Sequence, residues 1–193
     1  MKTDSRVQFT PLQRALHWVM AVCILGMLFV GVGMVSTITP EYLTLVSIHK
    51  PLGIVILLLA LLRLFVRWRH GAPPLQRDMP EPMKLAARLS HLAFYGLMIA
   101  MPLLGWAMLS AADYPVVFAG MHLPAILPPD AAMHSLLWNA HRFLAFCFFA
   151  LILLHLAAAL FHALIRRDGV FEAMAPFPAQ PPTKGEAAAV QRD

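Results

Sequence analysis

The sequence predicts an all-α integral membrane protein, a four-helix bundle with both termini on the cytoplasmic side. Hydrophobic residues make up 60% of the 193 residues and charged residues only 13%, so little polar surface is available to cover a soluble core. Four apolar runs, near residues 16–35, 42–68, 86–109 and 138–165, each reach the roughly 20 residues that cross a bilayer. We therefore expect one bundle over residues 16–167, with a cytoplasmic arm (1–15) before it and a disordered cytoplasmic tail (168–193) after it.

The distribution of charge predicts the orientation of the chain. Lysine and arginine precede the first span, follow the fourth, and lie at or within the second connection, whereas residues 36–41 and 110–137 contain neither. Basic residues concentrate on the cytoplasmic side of membrane proteins, so both termini are predicted to be cytoplasmic. The net charge of +5 is thus an indication of topology, and no nucleic-acid partner is expected.

The first span is predicted to begin at Thr10-Pro11 and to carry His17 in its first turn. A basic arm before an apolar run could also be a signal peptide. The run of about 20 residues is longer than a typical signal core, however, and no clear cleavage motif follows it. Cys23 and Cys147 both lie within spans, and no disulfide is expected.

The second span contains His49, Lys50, Pro51 and Gly53 about two turns from its outer end. Pro51 is expected to bend the helix locally. Gly53 follows His49 by four residues and shares its helix face, which would leave room beside the imidazole. A glycine that only serves close helix packing is the alternative.

The third span and the connection after it complete the outer half of the bundle. His91 is placed about two turns inside the cytoplasmic end of the third span. The connection over residues 111–129 is apolar but contains four prolines, so it is expected to lie on the membrane surface as a lid.

The fourth span, Trp138 to Arg167, carries His141, His155 and His162 on one face. The first two are 14 residues apart, which is about 40° short of four full turns and about 21 Å along a helix axis. One helix face therefore offers imidazoles near both leaflets. Ionisable residues inside a bilayer are costly and usually functional, so these histidines are the main candidate site.

The types of residue inside the spans favour haem b over other ligands. No Asp or Glu lies well inside a span, although a proton-coupled transporter or a divalent-metal carrier would be expected to need carboxylates there. Two imidazoles from facing helices suit haem b, because they saturate the iron and favour electron transfer. Depth pairs His49 with His141 and leaves His155 with either His17 or His91. A histidine-lined transporter without haem is the alternative.

Basic residues follow the two histidines of the outer level directly. Lys50 comes after His49 and Arg142 after His141, close enough to the surface to bind haem propionates. Ordinary anchoring at the membrane interface is the other interpretation of both residues.

In order and spacing, these elements resemble bacterial cytochrome b561. The resemblance covers about residues 10–178 and is carried by the following motifs: His17-Trp18, His49-x-x-x-Gly53, Arg63-Leu-x-x-Arg67, His91-Leu-x-x-Tyr95, Pro102-x-x-Gly105, and Trp138-x-x-His141 with His155 and His162. It implies two haems b in a multi-pass protein of the bacterial inner membrane. His17 and His155 would bind the iron on the cytoplasmic side, and His49 and His141 the iron on the outer side.

The resemblance also implies exchange of electrons with ubiquinone and oxidation of superoxide at the outer face. His162, together with His91, is the candidate for a quinone site; an interfacial histidine that contacts a propionate or water is the alternative. The expected partners are membrane lipid, quinone, and superoxide or a redox protein as donor. A second functional class is a haem-containing anchor subunit that connects a dehydrogenase or hydrogenase to the quinone pool.

Overall fold

Four long helices form the part of the chain that the structure describes. The computed structural model describes residues 8–36, 38–73 and 80–177. The helices are α1 (Pro11–Ser36), α2 (Glu41–His70), α3 (Glu81–Ala111) and α4 (Ala131–Leu160), and a π-helical segment (Phe161–Arg166) continues α4. Each of the four is long and apolar enough to cross a membrane, which confirms the predicted four-span fold.

Polar side chains cap the first turns of α1 and α4, and both helices begin before the predicted apolar runs. Thr10 and Gln13 form a capping box at α1: the Gln13 N–H donates to Thr10 Oγ1 (3.3 Å), and the Thr10 N–H donates to Gln13 Oε1 (3.0 Å). Pro11 occupies the first helical position, as the Thr10-Pro11 pair predicts. Asp130 caps α4 by accepting a hydrogen bond from the Met133 N–H (2.9 Å). Hydropathy alone detects only the apolar middle of such helices.

The bundle core lies near the middle of the helices. Packing runs from α1 to α2, from α2 to α3 and from α3 to α4. One buried residue from each helix meets there, namely Met20, Ala60, Met98 and Phe148. Ala60 is 0% exposed, and a small side chain of this kind lets helices approach closely inside a membrane. Many Leu, Val and Phe side chains on the other faces are exposed, as expected for surfaces in contact with lipid.

The connection between α3 and α4 contains a short antiparallel hairpin that the all-α prediction did not include. Strands β1 (Val116–Phe118) and β2 (Met121–Leu123) are joined by Ala119 and Gly120, both with positive φ (50° and 78°). The Trp106 indole N–H donates to the Pro124 carbonyl (3.0 Å), and the Ile126 N–H donates to Ser110 Oγ (3.2 Å). The hairpin therefore folds over the ends of α2 and α3.

The segment 168–177, which we call the strap, folds back onto the start of α1. The Phe9 N–H donates to the Ala173 carbonyl (3.1 Å), and the Trp18 indole N–H donates to the Met174 carbonyl (2.9 Å). The sequence places these residues in a disordered tail, whereas the structure gives them turns and specific contacts. The rest of the predicted tail, residues 178–193, and residues 1–7 of the predicted arm lie outside the described residues.

Candidate functional site

Two histidine pairs, one toward each end of the bundle, form the centre of the candidate site. His17 of α1 faces His155 of α4 with 6.2 Å between ring centroids and 66° between ring planes. His49 of α2 faces His141 of α4 with the same separation and the same angle. We call the first the inner pair and the second the outer pair. Both pairs thus use α4 as one wall and a different helix as the other.

The separation within each pair is the one expected for two imidazoles that bind one metal. A nitrogen in a five-membered ring lies about 1.1–1.2 Å from the ring centre, given bonds of about 1.33 Å. Imidazole nitrogen binds first-row metals at about 2.0–2.1 Å, so two rings on opposite sides of one metal have centres about 6.4 Å apart. The observed 6.2 Å agrees with that value.

The set of ligands fits haem rather than a free metal ion. Each pair supplies two nitrogens, whereas a tetrahedral ion needs four ligands. Within the described ranges, no group of three or more His, Cys, Asp or Glu side chains could hold a metal. A porphyrin supplies the remaining ligands itself and asks the protein for two imidazoles. The residues present therefore fit two haems b.

The outer pair has a ring nitrogen without a partner and a glycine beside it. Nδ1 of His49 is buried and has no hydrogen-bond partner among the described residues. A Cβ added at Gly105 of α3 would lie 3.5 Å from Cε1 of His141, an ordinary contact, so Gly105 lies directly against this ring. Gly105 was not predicted as a site residue; its place in the Pro102-x-x-Gly105 motif was the available signal.

The other predicted residues of the outer level differ in their exposure and in their contacts. Lys50 is half-buried, whereas Arg142 is exposed. A Cβ at Gly53 would lie 3.8 Å from Cε of Met27, an ordinary contact with α1. The structure therefore places Gly53 at the contact between α1 and α2, and the space it was expected to leave beside His49 remains a prediction.

Aromatic side chains occupy the level between the two pairs. The Phe94 ring packs against His155 (5.0 Å between centroids) and against Phe148 (5.9 Å). Phe148 follows His141 by seven residues and precedes His155 by seven, so it shares their helix face at half the distance. The sequence interpretation did not include either phenylalanine, although this seven-residue spacing was visible.

His91 and two other polar residues lie beside the inner pair. Arg63 of α2 donates from Nε to the Tyr95 hydroxyl of α3 (3.3 Å). The Arg63 guanidinium is close enough to His17, His155 and His91 for its charge to interact with theirs. The residues alone left His17 and His91 as equal partners for His155. The structure brings the His17 ring opposite His155 and places His91 close to both.

His162 belongs to a hydrogen-bonded cluster at the end of α4. It is 8% exposed, and its Nδ1 lies 2.8 Å from Oδ2 of Asp168. Arg166 Nε lies 3.1 Å from the same oxygen. Burial alone would raise the pKa of Asp168, but the hydrogen bond from His162, the backbone N–H of Val170 and the charges of His162 and Arg166 hold that pKa below its ordinary value. The carboxylate therefore keeps the imidazole in a fixed orientation.

The comparisons with known proteins agree with this geometry. The family model described as prokaryotic cytochrome b561 matches residues 8–177. Cytochrome b561 homolog 1 of Escherichia coli (strain K12) is 28% identical over 177 residues, which cover 88% of this chain and 97% of the relative. Homolog 2 of the same organism is 30% identical over 178 residues, covering 89% and 93%.

A third relative carries a more specific name. The protein named probable superoxide oxidase CybB of Yersinia pestis is 31% identical over 130 residues, covering 67% of this chain and 73% of the relative. The family match covers every residue that the structure describes, including all four helices and both histidine pairs. This chain is therefore a member of the prokaryotic cytochrome b561 family, a bacterial membrane b-type cytochrome that transfers electrons.

Proposed function

We propose that this chain binds two haems b and passes electrons across the inner membrane from a donor at the outer face to membrane quinone. The observation that carries the proposal is the repeated geometry of the two histidine pairs, each with 6.2 Å and 66° between rings. Haem b, when bound, supplies one-electron oxidation and reduction. His17 and His155 hold one haem and His49 and His141 the other, and all four side chains fix the orientation of what they bind.

The favoured donor is superoxide, and the relative named probable superoxide oxidase supports this choice. Two superoxide ions each give up one electron and leave as dioxygen, while one quinone takes up both electrons and two protons. Lys50 and Arg142 contribute positive potential at the outer level, which draws a small anion toward the outer pair. Glutamine at both positions is expected to lower the rate constant with superoxide and to weaken its dependence on ionic strength.

The quinone site is proposed at the inner end, beside His162 and His91. Asp168 accepts from Nδ1 of His162, so Nε2 is the atom of that ring that can exchange a proton. His162 lies in a π-helical segment, and such segments are frequent at functional sites. His91 lies beside the inner pair, within reach of the same end of the bundle. These two residues would supply the hydrogen bonds and protons that quinone reduction requires.

One absorption measurement tests the proposal directly. The purified chain is expected to show b-type bands in a reduced-minus-oxidised spectrum and about two haems per chain by haem extraction. A preparation without these bands would contradict the proposal and favour a histidine-lined transporter.

A kinetic measurement then tests the donor. The purified chain with a short-chain ubiquinone is expected to consume superoxide faster than spontaneous dismutation and to form quinol. Electron transfer that appears only after a dehydrogenase or hydrogenase is added would instead identify the chain as an anchor subunit.

A further inference from the structure

Arg14 is a buried arginine at the inner end of the bundle that the proposed reaction does not use. It is 8% exposed, and its Nε is buried without a hydrogen-bond partner among the described residues. Its Nη1 makes two long contacts, 3.5 Å to Gln8 Oε1 and 3.4 Å to the Ala175 carbonyl. Arginine is rarely this deeply buried unless it is paired, because an unpaired buried charge is costly. Among the described residues, no carboxylate is paired with this guanidinium.

Arg14 lies on α1 close to His17 of the inner pair. Arg14 precedes His17 by three residues, which places it about 4.5 Å nearer the start of α1 and about 60° around the helix. Long side chains on a helix lean toward its N-terminus, so the guanidinium lies beyond the His17 ring, on the side of the helix end. Arg63, by contrast, is hydrogen-bonded to Tyr95.

The strap encloses Arg14 from the side of the helix ends. Its Ala175 carbonyl contacts the guanidinium, and its Met174 carbonyl accepts from the Trp18 indole on the next turn of α1. Phe9, just before α1, is bonded to Ala173 of the same segment. Under this cover, little of the Arg14 side chain is accessible to solvent. We therefore expect an anion that pairs with Arg14 to belong to a molecule bound inside the bundle.

We propose that Arg14 binds a propionate carboxylate of the haem held by the inner pair. Haem b carries two carboxylates on one edge, and a charge-assisted pair with a guanidinium is both strong and directional. The strap excludes water from this pair and so strengthens it. The inference rests on the proposed function, because it needs a haem between His17 and His155.

The test is a potentiometric titration of both haems in the purified full chain. A cation beside a haem stabilises its reduced form, which carries one more negative charge. In R14Q we expect the equilibrium constant for reduction of the inner haem to fall about tenfold, a shift of 59 mV for a one-electron couple. The outer haem should be unchanged. The H17A variant, which retains only the outer haem, assigns the two potentials, and R14K, which keeps the charge, should recover most of the shift.

R69Q is the matched control, since Arg69 is exposed at the same end of the bundle and should leave both potentials unchanged. Three results would overturn the inference: unchanged potentials in R14Q, an equal shift of both haems, or a shift in R14K as large as in R14Q. If R14Q does not accumulate, R14M, which also removes the charge, takes its place in the titration with the same expected result and the same contradicting results. A wild-type chain without two haems would instead refute the proposed function itself.

Discussion

Four histidines define the site at the scale of single residues, and a fifth lies close by. His17 and His91 both approach His155, but only His17 has its ring opposite at the distance of a shared metal. This distinction depends on the rotation of α1 and α3 about their axes, which residue spacing within each helix does not determine. Depth and spacing therefore predicted the level of the inner pair but left its second member open, and only the resemblance to bacterial cytochrome b561 implied His17.

Replacement of single histidines tests the pairs. We expect H17A, H49A, H141A and H155A each to lower the haem content from about two to about one per chain, because one imidazole cannot hold the iron in a six-coordinate site. H91A is the control and should retain both haems. The haem-to-protein ratio by extraction is the measurement. Loss of a haem from H91A with retention of both in H17A would contradict the assignment.

A second prediction concerns Asp168, whose contacts with His162 and Arg166 are expected to stabilise the folded protein. In the folded protein the pKa of Asp168 lies below 3.8, the ordinary value that the unfolded chain has. The charged carboxylate therefore stabilises the fold at any pH above 3.8. This contribution is lost as the pH falls through the pKa of the folded protein. We expect D168N to unfold about 2–4 °C below wild type at pH 7, the shift that roughly 1 kcal/mol gives in a chain of this size. The difference should narrow below about pH 4.

The measurement is thermal unfolding in detergent across that pH range. D113N is the control, because Asp113 is exposed at the opposite end of the bundle. A difference between D168N and wild type that stays constant with pH would show that the carboxylate charge does not stabilise the cluster.

At the scale of elements, the four-residue core fixes how closely the helices approach one another. Ala60 is fully enclosed by α1, α3 and α4 side chains, so a larger residue has no space. Overpacking of a core typically costs about 1–3 kcal/mol, and A60L should unfold at a lower temperature than wild type. A93L, at an exposed position on α3, is the matched control and should have little effect. Equal stability of A60L and wild type would contradict the described core.

The elements also differ in how well sequence predicts them. Length and hydropathy predict four helices, because each apolar run is long enough to cross a bilayer. The hairpin at Val116–Leu123 was missed because its strands have three residues each, and Ala119 gives no glycine or asparagine signal at its first turn position. The strap was assigned to the tail because proline-rich composition indicates disorder, whereas its order depends on contacts with Phe9, Arg14 and Trp18.

At the scale of the whole molecule, orientation in the membrane remains a prediction from charge. If the positive-inside rule holds, a fluorescent protein fused to the C-terminus will be fluorescent, and alkaline phosphatase inserted in the hairpin connection will be active. Fusions of phosphatase to the C-terminus are the control and should be inactive. The opposite pattern would place the outer pair at the cytoplasmic face and would exclude periplasmic superoxide as its donor.

The burial of Arg14 shows what neither composition nor spacing could predict. A basic residue at the start of a span is typical of the cytoplasmic interface, and Arg14 is one of the basic residues before the first span that predict the topology. Its burial results from the strap, which is separated from it by about 160 residues in the chain. Contacts of that range are set by the assembled bundle, and no local pattern encodes them.

Helix α4 carries one histidine of each pair, and this limits where residues can be inserted or deleted. One residue inserted between His141 and His155 would rotate one ring by about 100° relative to the other and would remove it from its partner. Residues added to the connections after α1, α2 or α3 would leave the rings in place. Insertions and deletions among functional relatives should therefore collect in the connections, and the interval of 14 residues on α4 should stay fixed while the rest of the chain varies.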